Sequence, residues 1–142
     1  MKEKFLKAIY FISLLVSTIL LFTLVDYFIH GLSPDWGVPD YYFRNKIIFA
    51  VIWFAVVWFF VRKLNRPWLQ GLITAGVVVT LLQLRYYFYE GYSVSFVFEF
   101  LGFHFAILYP LAIIFYHFIN IINQSKKLMS KKQVLWSVVV WF

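Results

Sequence analysis

The chain has 142 residues, of which 63% are hydrophobic and only 13% charged, against about a quarter charged in an ordinary soluble domain. A soluble fold of this size leaves too much of itself in water to hide so much apolar surface, so the composition argues for lipid as solvent and for one helical unit. Cysteine is absent, which excludes disulfide frameworks, thiolate catalysis and Cys-based zinc or iron–sulfur centres. The net charge of +7 sits on residues flanking apolar runs, with no nucleic-acid motif beside it.

A spanning helix needs roughly 20 mostly apolar residues. The first predicted helix, residues 5–29, is built on the uncharged run Ala8 to Val25, preceded by Lys2, Lys4 and Lys7. That run is longer than the roughly 7–15 apolar residues of a signal peptide, and Asp26 to His30 offers no small-residue cleavage site, so the helix is expected to be retained. Gly31, Pro34, Gly37 and Pro39 then break the chain, and Tyr41-Tyr42-Phe43 is expected to form an aromatic belt at the membrane interface. The second helix, 43–63, has a short apolar run, Ile47 to Val61, with Lys46 and Arg62 expected to snorkel outward at its ends. Pro67 suits the first turn of a third helix, 67–89. After a turn at Glu90 to Ser93, a fourth helix, 94–123, carries Glu99 as its one charged residue and Pro110, an expected kink. The tail, 124–142, ends in a nine-residue stretch that is apolar except for Ser137, too short to span. It fits an interfacial segment anchored by Trp136 and Trp141, or the start of a fifth helix.

The fold class that follows is all-α: a four-helix membrane bundle with up-down topology. If the N-terminus is inside, the inner segments hold ten Lys and Arg residues and the outer ones only Arg44, Lys46 and Arg85. Positive-inside bias then puts both termini on the cytoplasmic side of a plasma (inner) membrane.

Three features bear on chemistry. Asp26 and His30 are four apart, on one helical face; such a pair can relay protons or help hold a metal, but with Gly31 next in line the expectation is a polar helix end bonded to water and loop. Glu99 lies inside an apolar run, so it is expected to face the bundle and find a partner. Glu99, Gly102, Ala106, Pro110, His117 and Asn120 fall on one stripe of the fourth helix, which is turned inward here, with Leu101, Phe105, Leu108, Phe115 and Ile119 on the lipid side. On the third helix Gly71 and Ala75 form a small-xxx-small pair, which with Gly102 and Ala106 is expected to let helices approach closely. Arg85 ends the same face, and an Arg85–Glu99 ion pair is expected to clamp helices three and four. His104 falls off the stripe, and His117 lies roughly 27 Å from Glu99 along a straight helix, so no metal site is expected there.

No phosphate-binding loop, His-Glu-x-x-His or nucleophile elbow is present, and no catalytic residue or cofactor is assigned. The leading expectation is a non-catalytic multi-pass protein acting through helix contacts with itself or a membrane partner, the bilayer being its first partner. The alternatives are a small oligomeric ion- or proton-coupled transporter using Glu99 and Arg85, with Asp26 and His30 on the pathway, and a haem- or metal-binding subunit using His30, His104 or His117.

Overall fold

A computed structural model describes residues 2–124. Among them the chain forms α1 (Lys2–His30), a short 3-10 turn (Pro34–Trp36), α2 (Asp40–Val61), α3 (Pro67–Phe88) and α4 (Val94–Gln124). All four α-helices are long and apolar enough to cross a membrane. The apolar segment 134–142, read above as interfacial or as a fifth helix, lies outside the described residues.

Local chemistry sets the helix ends. α1 stops where the Gly31 N–H closes on the Tyr27 carbonyl at 3.2 Å. α2 starts directly after Pro39, whose extended backbone (φ −68°, ψ 159°) caps it. Tyr41 and Tyr42 therefore lie in the first turn of α2, which begins three residues before the sequence-based boundary. Asn65 adopts the left-handed conformation (φ 53°), turning the chain so that Pro67 can open α3. Gly91 (φ 71°) does the same after α3, at a position where a Cβ would be strained. Ser93 Oγ accepts from the Phe96 N–H at 3.2 Å and caps α4. α4 continues as one helix through Pro110.

The helices pack in chain order as antiparallel neighbours, and α4 closes the ring against α1. Residue pairs fix the register: Phe11 meets Trp58 and Phe115, Tyr42 stacks on Tyr86, and Thr74 bonds Tyr116. α3 and α4 are the most closely apposed pair. The reason is Gly71, where a Cβ would come within 3.0 Å of the Ile113 side chain and 3.1 Å of its backbone nitrogen. Ala75 is fully buried on the same face.

Up to Pro110 the face that α4 turns inward is the reverse of the one expected, while Asn120, farther along the expected stripe, is buried against Gln70 as anticipated. Phe100, His104, Leu108, Ala112, Phe115 and Ile119 are buried, whereas Glu99, Gly102, Ala106 and Pro110 are exposed. A Cβ at Gly102 would meet nothing within 4 Å, so Gly102 and Ala106 are not packing residues within this chain. The physical reason is twofold. The large side chains of α4 fill the space between α1, α2 and α3, and a polar partner set for His104 lies across that space. Glu99 is five residues past the helix start at Val94, roughly 8 Å of rise, close to the helix end.

Candidate functional site: a buried charge centre

One end of the bundle, beneath the α1–α2 and α3–α4 connections, holds a set of ionisable side chains in its interior. Asp26 lies four residues before the end of α1, Lys46 six after the start of α2, Gln83 five before the end of α3 and His104 ten after the start of α4. On an α-helix these offsets correspond to roughly 6 to 15 Å below the helix ends. Asp26 and His104 have no accessible surface, and Lys46, Gln83 and His30 are buried with them.

Lys46 Nζ donates to Asp26 Oδ2 and lies 2.8 Å from His104 Nε2. His104 Nε2 in turn lies 2.9 Å from Asp26 Oδ1. Gln83 fixes the histidine's orientation: its Nε2 donates to the Val97 carbonyl at 2.6 Å, which leaves Oε1 as acceptor for His104 Nδ1 at 2.8 Å. The Nδ1–H tautomer assigned from these partners presents the Nε2 lone pair to Lys46. His30 repeats the pattern. Its Nδ1 donates to the Trp36 carbonyl at 2.6 Å, and its Nε2 faces Asp26 Oδ2 at 3.3 Å, buried and without a hydrogen-bond partner.

Aromatic rings hold the set in place. His30 lies flat on Phe100, with centroids 4.2 Å apart and planes within 1°, and Phe22 meets His104 edge-on at 5.6 Å. The Lys46 ammonium sits 4.7 Å from the Tyr42 ring centre and 5.2 Å from that of Phe22, positions that favour a cation. Tyr92, in the α3–α4 connection, packs edge-on against Tyr42 and Tyr86. Its burial, and then the nearby Glu90, push its hydroxyl up to about 12, so this cover stays uncharged across the physiological range.

His30 is shared between the centre and a surface cleft. A cleft of about 460 Å³, lined among others by Tyr27, His30, Gly31, Asp40 and Phe43, opens at this end of the bundle. Neither Asp26, Lys46 nor His104 lines it.

Of the residues singled out from sequence, Asp26 and His30 come together in this centre; His30 bonds the loop as expected, but both are buried, unlike the water-exposed helix end expected from sequence. Arg85 and Glu99 do not join them, and no ion pair links these two among the described residues. The Arg85 guanidinium lies 4.2 Å from the Phe49 ring centre and 5.5 Å from that of Tyr89. Glu99 is exposed on α4. The clamp between α3 and α4 consists instead of Gln83–His104, Thr74–Tyr116 (2.6 Å) and Gln70–Asn120 (2.8 Å). His117 lies thirteen residues beyond His104 on α4, roughly 20 Å along the axis, and takes no part.

Lys46 is the site residue that sequence reasoning missed; His104 enters it only as a haem or metal ligand of the alternative reading, with no link to Asp26. A signal for Lys46 was present. It and Asp26 lie at matching depths from the same connection on consecutive antiparallel helices, and an acid and a base at equal depth in lipid are natural partners. His104 carried no comparable signal. Comparison of the chain with protein-family models, curated proteins and solved structures finds no match.

Proposed function

We propose that this chain is a multi-pass protein of the plasma (inner) membrane, with both termini cytoplasmic, that takes a small cation from the outer side at Asp26 and passes it across the bundle. The observation that carries this reading is the Asp26 carboxylate, with no accessible surface, bonded by Lys46 and lying beside His104 and His30, the last of which also lines a surface cleft. Ionisable side chains inside spanning segments are costly and mark ion pathways by default. Helix packing alone does not call for them, since apolar residues of equal volume serve as well as a buried ion pair. The orientation rests on the ten-to-three distribution of Lys and Arg.

Below the centre, Val78, Val79, Leu82, Leu108 and Ala112 form a dry layer. On its other side lie the uncharged pairs Thr74–Tyr116 and Gln70–Asn120. A cation held at Asp26 therefore meets a barrier toward the inner side, and passage requires a rearrangement of helices around the centre, as in alternating access.

The test is reconstitution into liposomes with pH-, sodium- and divalent-sensitive dyes inside. The expected result is flux of one cation that is lost in Asp26→Asn. No flux of any of these cations from a folded, correctly inserted protein would remove the basis of the reading.

A second reading, assembly with another copy or a membrane partner through α4, is favoured by the exposed Glu99, Gly102 and Ala106 on one outer surface. Small residues permit close approach between helices in lipid. A particle mass equal to one chain, unchanged between Gly102→Leu and wild type, counts against it.

A further inference from the structure

We infer that Asp26, His30 and His104 form a site for a divalent transition-metal ion, in which the Lys46 ammonium is a tethered competitor for the metal's position. The inference rests on the cation-handling reading above and gives its ligand a chemical class.

Three observations carry it. First, Asp26, His30 and His104 each offer one ligand atom, all buried, and these atoms lie within 4.8 Å of one another. Metal–nitrogen and metal–oxygen bonds of about 2.0–2.2 Å in a tetrahedron place ligand atoms roughly 3.4 Å apart. His104 Nε2 lies 2.9 Å from Asp26 Oδ1 and His30 Nε2 3.3 Å from Asp26 Oδ2, so each ring already sits beside one carboxylate oxygen, and the two ring nitrogens, within 4.8 Å of each other, have to draw in around the ion.

Second, both imidazoles are prepared in the same way. Each Nδ1–H is tied to a carbonyl oxygen, Gln83 Oε1 for His104 and the Trp36 backbone for His30. This is the outer-shell arrangement that fixes tautomer and ring direction in metal-binding histidines. Both Nε2 atoms then face the same carboxylate. His30 Nε2 is buried there with no hydrogen-bond partner of its own, although buried nitrogens are ordinarily satisfied. A metal ion supplies the missing partner.

Third, a positive charge already occupies the focus of these groups. Lys46 Nζ bonds Asp26 Oδ2 and lies 2.8 Å from His104 Nε2, within reach of two of the three ligands. Two imidazoles and one carboxylate suit zinc, cobalt, nickel or copper better than magnesium or calcium, which prefer oxygen alone. The ion enters from the cleft past His30, and the Lys46 ammonium gives way to it.

The test is titration of the full chain in detergent with Co2+, read by its visible ligand-field bands, and with Zn2+ by calorimetry. The expected result is one ion per wild-type chain with a four-coordinate Co2+ spectrum. Lys46→Met is expected to tighten binding by about tenfold or more through loss of the competing charge. Gln83→Leu, which frees the His104 ring without removing a ligand, is expected to weaken it roughly 10–100-fold. His30→Gln is expected to change the Co2+ spectrum as a ligand is lost. Folded wild-type protein that takes up no stoichiometric Co2+ or Zn2+ overturns the inference, as does uptake that His30→Gln and His104→Gln leave unchanged. If metal uptake fails while flux of another cation still depends on Asp26, this inference falls and the transport reading stands. If metal binds but nothing crosses the liposome membrane, the reverse holds.

Discussion

At Asp26 a single carboxylate faces three nitrogen-bearing side chains with no water-accessible surface among them. Removing its charge strands the Lys46 ammonium in the interior, a change that costs about 3–5 kcal/mol in buried pairs. Asp26→Asn is therefore expected to lower the thermal midpoint in detergent clearly. Asp26→Leu combined with Lys46→Met restores apolar packing and is expected to recover most of the loss. A double variant no more stable than Asp26→Asn would show that the pair is not the source of the effect. Glu99→Gln offers the contrast: its carboxylate is exposed and unpaired with Arg85, so a stability change within about 0.5 kcal/mol is expected. A large loss there would restore the Arg85–Glu99 clamp that the sequence suggests. Lys46 escaped a sequence reading for a simple reason. A lysine near the end of an apolar run snorkels in most helices, and only the acid opposite it on α1 turns it inward.

At the scale of the helices, α3 and α4 show what determines close packing. At Gly71 even a methyl group would press on the Ile113 backbone, so Gly71→Ala is expected to destabilise by about 1–3 kcal/mol through overpacking. Gly102→Ala, with open space around it, is expected to leave the melting curve unchanged. Equal effects at the two positions would contradict the assigned inward face of α4. The four helices were legible because apolar runs bounded by Pro, Gly and charge leave few alternatives. The rotation of α4 was not. A polar stripe has an inward preference only where partners await it, and the partners of His104, on α1, α2 and α3, are far apart in sequence. Asp26 and His30 could be found because they are neighbours on one helix. Their meeting with His104, seventy-eight residues on from Asp26, is a product of the tertiary fold.

For the whole molecule, the end beneath the α1–α2 connection holds a charged centre beside a cleft, the middle is apolar, and the opposite end holds uncharged polar pairs. Such a division fits a protein that admits an ion from one side and yields it only after moving its helices. The proposed orientation can be checked on single cysteines, since the chain has none of its own. A thiol at exposed Asp35 is expected to react with an impermeant reagent on intact cells, and one at exposed Lys63 only after permeabilisation. Labelling of both from the same side would contradict the crossing pattern. The most direct measurement of function compares cation flux in liposomes for wild type, Asp26→Asn and Glu99→Gln at matched insertion. The expected outcome is flux in wild type and Glu99→Gln and none in Asp26→Asn; flux that survives in Asp26→Asn and disappears in Glu99→Gln would place the pathway on the outer surface of α4 and contradict a working centre at Asp26.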